Sequence, residues 1–558
     1  MKKYNLLYIG CLTAALSITS CDVDLLNIPQ EGVISEDNFY KTDDDCNEAI
    51  TAVYNSFRNT YSGDIDWRYC NGFYLKNMLA DDLYCGGAWD QPAPQELAQS
   101  VTTTTNEWVK LYYRELYSTI YLANIVLEKF DESSDIKKRN IAEAKFFRAI
   151  CYFELVTLWG NPPLVDHVLT ASEYEQPNST EEALYSFIEQ DLNEAINSGA
   201  LVSKINMDDK DTGARVTREA AHAFLGKVYL YQGKYAEAKE QLKAVIDSQK
   251  YDLVDDITIL YHMAGNGCKE YIFENVRHND SNNLWGGVNG GTGQSGAHQI
   301  LGNWPFAISL FMGPEALSHY NFCPQGYAKF NPTAAIYNAF VEEEGESGYR
   351  LTNWIKTWDQ VVAMNVYMPS SGSSPTSEGY YRLKWLPTQD DENVSDWSGA
   401  RQCFPVMRYA DVLLMMAEAC VQTGTDQAVA DECVNKVRTR ARLASKSNVT
   451  MDDIKKERQL ELCMEGVRFL DLRRWGDAPT VLADKGKRIP TFRVTPDPSN
   501  DYTTAEGIYN AKYDCSIEWA DNDYNYEASG WTPNRDEYLP YPQDELNANS
   551  QLKQNPGY

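Results

Sequence analysis

The sequence predicts a mainly α-helical fold, in which helix pairs of tetratricopeptide type wind into a right-handed solenoid that carries a large irregular lobe and little β structure. Three observations predict it. Several long stretches place apolar residues at three- and four-residue spacing, the period of a helix with a buried face. One of them, Arg218 to Ile246, holds Leu225-Gly226-x-x-Tyr229, Gln232-Gly233 and Ala238 at the offsets of a tetratricopeptide helix–turn–helix. Finally, residues from about 251 to 404 hold 16 of the 34 glycines and 6 of the 13 tryptophans, with short β-like runs such as Tyr271-Ile272-Phe273 but no βα alternation, so they form a loop-rich excursion and not a second fold.

The elements follow in chain order. Residues 1–20 are not part of the fold. A basic start (Lys2, Lys3), an apolar run from Leu6 to Ile18 and small residues before Cys21 form a secretory signal. The cysteine at the cut resembles a bacterial lipobox, which marks Cys21 for lipidation and residues 21–558 as one mature body. Glu107 to Phe130 is the first strong helix. Ile141 to Trp159 is apolar nearly all round, so it needs neighbours on several sides, and Gly160-Asn161-Pro162-Pro163 stops it. In the Arg218–Ile246 pair, Gly226 and Ala238 allow close helix approach, Gly233 fits the turn, and Tyr229 and Leu242 fill the seam. Ala410 to Arg442 is a weaker echo of that pair. A last helix is expected from Ile454 to Trp475, opened by a Thr450-x-x-Asp453 capping box and closed by Gly476. Solenoid helices are therefore placed within about 40–250 and 405–476. The Pro-, Asn- and Tyr-rich segment from about 488 to 558 has little periodicity and is expected to wrap the helices.

Composition excludes several function classes. The chain has 558 residues and a net charge of −30, which becomes −32 when Lys2 and Lys3 leave with the signal. Such a surface repels phosphate backbones, so no nucleic acid partner is expected. No later apolar run is long enough to span a membrane, and the lipid on Cys21 is the expected tether. Of the 13 cysteines, Cys11 and Cys21 belong to the signal and lipid site, and the others show no Cys-x-x-Cys pair. The 6 histidines have no paired ligand spacing, so no metal site is expected.

Catalytic motifs fail on context. Gly291-Thr292-Gly293-Gln294-Ser295-Gly296 has the spacing of a dinucleotide turn, but no strand runs into it and Pro305 forbids a helix after it. Read as a nucleophile elbow it lacks the last glycine, which is Ala297. No Walker loop or His-Glu-x-x-His occurs, so neither a catalytic residue nor a cofactor is expected. A hydrolase working through two carboxylates stays open, because 80 acidic residues supply many candidates. The run Glu457, Arg458, Glu461, Glu465, Arg468, Asp471, Arg473 and Arg474 has three- and four-residue spacing and reads as an ion-paired helix face.

Several of these segments resemble one family. Glu457-Arg458-x-x-Glu461-Leu462-x-x-Glu465-Gly466-x-Arg468-x-x-Asp471-Leu472-x-Arg474-Trp475-Gly476 looks like the signature helix of the RagB/SusD family. Ala142 to Ala149, Arg408 to Ala419, Asn435 to Ala441 and the closing Gln554-Asn555-Pro556-Gly557-Tyr558 are similar to it as well, in order along the mature chain. The resemblance implies a body of four tetratricopeptide-like helix pairs with a less regular lobe. It also implies a non-catalytic, surface-exposed lipoprotein of the outer membrane, with Asp22 and Asp24 as export context. Such a protein captures oligosaccharides, or in some members peptides, and delivers them to a SusC-like TonB-dependent transporter.

The signature residues are structural, so the ligand site is sought among aromatics in loops. Sugar C–H faces stack on Trp and Tyr while neighbouring polar groups take the hydroxyls. Trp89 with Asp90 is the first candidate, in a turn-rich stretch where the family often carries a stacking Trp. Trp285 with Asn283, then Trp304 and Tyr320, is the second.

Overall fold

The structure, a computed structural model, describes residues 39–62, 70–85, 92–276, 311–312, 330–368, 370–386, 388, 391, 403–522 and 530–558. Its helical part begins with α1 (Asp43–Ser62), α2 (Gly72–Leu79), α3 (Glu107–Lys129), α4 (Asp135–Trp159), α5 (Glu181–Asn197), α6 (Arg218–Tyr231) and α7 (Tyr235–Asp247). After the excursion, which carries the short helices α8 (Ala334–Glu344), α9 (Tyr349–Trp354) and α10 (Trp358–Ala363), come α11 (Tyr409–Thr423), α12 (Gln427–Arg440), α13 (Met451–Glu461) and α14 (Arg468–Arg474). Neighbours pack in sequence, α3 on α4, α4 on α5, α5 on α6 and α6 on α7; α7 then packs directly against α11, and α11 against α12. The solenoid thus closes over its own interruption, because the apolar faces of α7 and α11 meet while residues 248–403 loop out.

Local sequence explains these helices. Side chains of Asn106, Ser134, Thr180 and Thr217 cap α3, α4, α5 and α6. In α4 every residue from Asn140 to Trp159 except Lys145 is buried, as its all-round apolar pattern requires. At the α6–α7 seam a Cβ built on Gly226 would stand 2.8 Å from Leu242, so glycine is what lets the two helices touch. Gly233 makes the turn at φ +72°.

The last helical segment departs from expectation. Thr450 and Asp453 do form the capping box and Gly476 does end the run at φ +75°, but the predicted single helix is two, α13 and α14, broken at residues 462–467. Gly466 at φ +75° and Met464 at φ +60° make the break. Asp82 and Asn77 then receive the N–H groups of Met464 and Gly466 at 2.9 and 3.0 Å.

The charged run is ion-paired, but mainly with other elements and not along one helix face. Arg458 and Glu461 are buried, and their partners come from other elements. Arg350 contacts Glu344, Glu457 and Glu461 at 2.6, 2.6 and 3.0 Å. Arg408 meets Glu461 at 3.1 Å and Glu465 at 2.6 Å, and pairs with Glu270. Arg440 pairs with Glu270 at 2.9 Å and with Glu461. Arg458 joins Asp411 and Asp471 at 2.7 and 2.8 Å. The run is split between α13, the break and α14, so its ion pairs, to arginines from three neighbours, form an internal seam and not one helix face. Burial pushes the Glu461 carboxyl up, yet Arg440, Arg408 and Arg350 outweigh it and hold it at about 2.

The excursion is stitched by short strands: β1 (Leu83–Tyr84), β2 (Tyr271–Asn275), β3 (Phe311–Met312), β4 (Asn331–Pro332), β5 (Ile355–Thr357), β6 (Val366–Tyr367), β7 (Gly372–Pro375), β8 (Tyr380–Arg382) and β9 (Phe404–Arg408). They pair antiparallel as β1–β4, β2–β9, β3–β6 and β5–β8. The C-terminal segment holds more regular structure than its composition predicts, since β10 (Arg488–Pro496) and β11 (Tyr513–Asp521) form an antiparallel ladder that β7 extends. Alternation is visible there after the fact: Phe492 and Val494 are buried while Arg493 is exposed. The chain beyond it contacts α4, with the Trp159 indole donating to Pro540 O at 3.0 Å and Asn555 donating to Trp159 O at 3.0 Å. All ten described cysteines are free thiols. Among the described residues no helix is long and apolar enough to cross a membrane, and no cluster of His, Cys, Asp or Glu has a metal-binding arrangement.

Candidate functional site

The excursion joins the helical body at an aromatic hub. Phe73 of α2 stands over Phe330 (ring centroids 6.4 Å apart) and edge-on to Phe404 (4.7 Å), and Trp385 stacks on Phe404 at 4.7 Å and 16°. Strand pairing fixes what surrounds the hub. Tyr84 opposes Asn331, so the chain leaves β1 beside the point where it enters β4. Asn275 opposes Phe404, so the end of β2 lies beside the start of β9. The Asn275 amide donates to Ser62 Oγ at 2.8 Å, and Thr376 Oγ1 donates to Cys85 O at 2.7 Å.

Trp89, Asp90, Asn283, Trp285, Trp304 and Tyr320 all lie outside the described residues, as do Gly291–Gly296 and Cys21. What the structure does show is where their segments are rooted. Cys85 precedes the segment of Trp89 and Asp90, Val276 precedes the one that holds Asn283, Trp285 and Trp304, and Phe330 follows the one that holds Tyr320; the β1–β4 and β2–β9 pairings bring these three ends to the hub.

Beside the hub opens a cleft of about 730 Å³. Its walls come from the turn 257–264, from α9 and β5, and from the turn Leu383–Leu386, with Met364 and Asp391 at its edges. Hub and cleft share Tyr261, whose ring lies 4.1 Å from that of Trp385. The Leu383–Leu386 turn is held by two N–H groups, of Leu383 and Lys384, that donate to Trp354 O at 2.8 and 3.2 Å. It forces Trp385 to φ +74°, a costly conformation for an aromatic residue, and buries the Trp385 Nε1–H without a partner. The shape of the cleft wall is thus maintained against local backbone preference by stacking and by Lys384. The Lys384 ammonium donates to Cys463 O and Glu465 at 2.8 Å each, and lies 4.1 Å from the Trp354 ring.

Polar groups along the cleft differ in how far they are already used. Asp391 accepts from Met263 N, Thr388 N and His262 Nδ1 at 2.7, 2.7 and 2.8 Å. Burial raises its carboxyl, but His262 and the two N–H groups outweigh that and keep it below the usual range. This His–Asp pair clamps two turns together. Thr388 Oγ1 donates to Asp391 and not to the imidazole, so the arrangement offers no nucleophile–base couple. Asn353 donates to Tyr349 O and Thr352 to Gly348 O, both at 2.8 Å. Lys356 is the exception: half-buried in β5, it forms no ion pair or hydrogen bond among the described residues. Burial alone lowers its pKa.

Sequence reasoning did not single out Tyr261, Trp354, Lys356 or Asp391. Trp354 and Trp358 are four residues apart and read as helix packing, whereas a strand intervenes and turns Lys356 to the cleft. The one available signal was alternation at Ile355-Lys356-Thr357, too short to separate from chance.

Comparison with known proteins adds family context. A family model described as the SusD family matches residues 269–558. A second, described as starch-binding associating with outer membrane, matches residues 35–230. The chain is 25% identical to SusD-like protein P38 of Formosa agariphila, over 86% of this chain and 94% of that protein. It is 26% identical to starch-binding protein SusD of Bacteroides thetaiotaomicron, over 73% and 78%. Among solved structures, a laminarin binding SusD-like protein superposes with a TM-score of 0.73 at 28% identity, covering 93% of this chain and all 100% of that one. Surface glycan-binding protein A from Bacteroides thetaiotaomicron, in complex with laminarihexaose, shares the fold at a TM-score of 0.68 and 22% identity, over 92% and 100%.

Proposed function

The chain belongs to the SusD family, and from that premise we propose that it is a non-catalytic glycan-binding lipoprotein of the cell surface. Lipid on Cys21 holds it to the outer membrane, facing outward. It captures oligosaccharides and hands them to a SusC-like TonB-dependent transporter. The observation that carries the reading is the near-complete overlay on a laminarin-binding relative, together with a sequence that aligns along most of the length of relatives named for binding. The lipobox at Cys21 supports the anchor. The mature chain, 21–558, acts as one body in this reading, with the excursion of about 251–404 as its ligand lobe.

Trp89, Asp90, Asn283, Trp285, Trp304 and Tyr320 are the residues we assign to the sugar. Rooting of their segments around the Phe73–Phe330–Phe404 hub supports that assignment, because it starts them from a common base. Affinity electrophoresis and calorimetric titration against a polysaccharide panel that includes laminarin test it. Binding of at least one glycan is expected, and Trp89→Ala is expected to weaken it by about 1–3 kcal/mol, the worth of a sugar-stacking indole. Unchanged affinity removes Trp89 from the site. Binding of peptides and no glycan moves the function to peptide capture, and release of shorter sugars from a bound glycan makes the protein a hydrolase.

A further inference from the structure

Lys356 stands apart from the ion-paired cations near the cleft. Arg350, Arg408 and Arg440 each face at least two glutamates, and Lys384 is held by Glu465 and Cys463 O. Lys356 sits in β5 opposite Tyr381, its side chain on the wall of the cleft, and among the described residues no carboxylate pairs with it. Asp391, in the same cleft, is occupied by His262, Met263 N and Thr388 N and is not turned to Lys356. A cation withdrawn halfway from water without a counter-charge costs free energy that a bound anion offsets.

We propose that this cleft receives an anionic substituent of the captured glycan, a carboxylate or a sulfate ester, on the Nζ of Lys356. The inference rests on the glycan-binding reading above and names the sugar class for it. The cleft volume of about 730 Å³ lies within the ordinary range for small-ligand sites, roughly 300–1,000 Å³, and accommodates a substituted pyranose. Thr258, Thr352, Asn353 and Thr388 line the same space; Thr352, Asn353 and Thr388 donate within the chain, which leaves their oxygens as acceptors for sugar hydroxyls. The net charge of −30 opposes a continuously charged chain at long range. One half-buried ammonium in a recess suits a glycan whose charged substituents are widely spaced. A peptide carboxylate shares the anionic chemistry, but the family relationship favours the sugar.

Calorimetric titration of the mature chain with D-glucuronate, D-glucose 6-sulfate and D-glucose tests the proposal, alongside laminarihexaose as a neutral control. At least one of the two anionic sugars is expected to bind about tenfold more tightly than glucose, the gain of one charge-assisted hydrogen bond. Which of them gains tells carboxylate from sulfate. Lys356→Gln should abolish the difference, Lys356→Arg should retain most of it, and both variants should keep the wild-type circular dichroism. Equal affinity for all three sugars overturns the proposal, as does a preference that survives Lys356→Gln or acetate-capped glycyl peptides binding where neither anionic sugar does. Laminarihexaose separates the two levels: if it binds wild type and Lys356→Gln alike while the anionic sugars show no preference, glycan capture stands and the anionic subsite falls. If no sugar of any kind binds, both fall.

Discussion

Arg350 and Lys356 lie close in sequence, at either end of the α9–β5 corner, and both withdraw a positive charge from water. Arg350 is fully buried and meets three glutamates from α8 and α13. Lys356 is half-buried and meets none among the described residues. The first arrangement fixes how the excursion sits on the solenoid, because the pairs with Glu457 and Glu461 tie α9 to α13, distant in sequence. The second leaves a charge for something else to satisfy. Charged residues in this molecule are therefore informative by their partners and not by their spacing.

The comparison breaks most readily at Glu461. Glu461→Gln leaves Arg350, Arg408 and Arg440 buried with one shared carboxylate fewer, and a loss of about 3–5 kcal/mol in urea unfolding is expected. A loss under about 1 kcal/mol would show that the seam is held by packing alone. Replacing the carboxylate and its arginines together by apolar residues of similar volume is a different experiment, and it is expected to cost far less.

Acid should act through the same residue. The folded pKa of Glu461, at about 2, is depressed below its unfolded value near 4.5. Its contribution is thus fully present above about pH 4.5 and is lost as pH falls through about 2, amounting to about 3 kcal/mol at full span. Wild type minus Glu461→Gln, followed by chemical denaturation from pH 5 to pH 2.5, isolates that slope from the remaining carboxylates. Parallel curves for the two proteins would mean that folding leaves the Glu461 pKa unchanged. Binding at Lys356 has no reason to follow this curve above pH 5, which keeps the two regions separable by experiment.

Much of the fold was legible in the sequence because close-packed helices leave local marks. Gly226, Ala238 and Leu242 announced a tight seam, and the all-round apolar pattern of α4 announced a central helix. The break between α13 and α14 was read over although Gly466 stands in it, since the groups that hold it, Asp82 and Asn77, reach back from the other end of the chain. β10 and β11 were missed because their alternation runs on threonine, arginine and cysteine in a segment whose Pro and Asn content reads as loop. The candidate sugar residues were chosen by chemistry, and only their roots are fixed by contacts. The cleft was invisible for a further reason. Tyr261, Trp354, Lys356 and Asp391 come together from separate turns, and nothing in their neighbours along the chain marks that meeting.

A smaller effect is expected in the solenoid seam. Gly226→Ala places a Cβ 2.8 Å from Leu242 Cδ2 and Cγ and 3.4 Å from Ala238 O. Leu242 is fully buried and has little room to retreat, so about 1–3 kcal/mol should be lost. Glycan affinity should not change, because α6 and α7 contribute nothing to the cleft wall. A variant that lost affinity along with stability would show that the seam and the ligand lobe are mechanically coupled.

The smallest effect is expected on β11, where apolar residues are as unanswered as Lys356 is among the cations. Ile517 opposes Phe492 across the ladder and Trp519 opposes Pro490, so both lie on the face that is buried on β10. On β11 that face overhangs the core, and Ile517 and Trp519 remain 44% and 40% exposed. Trp519 gains only an exposed contact with Arg488, 5.7 Å from its ring, worth about 0.5–1 kcal/mol, while a serine there relieves apolar exposure of similar size. Trp519→Ser should thus shift unfolding by no more than about 0.5 kcal/mol in either direction. It should also leave laminarihexaose affinity where it was, since the cleft lies elsewhere on the lobe. A loss above about 1.5 kcal/mol would mean that the overhanging face is covered in the folded chain, and that exposure on β11, unlike the open charge of Lys356, does not mark a surface left free.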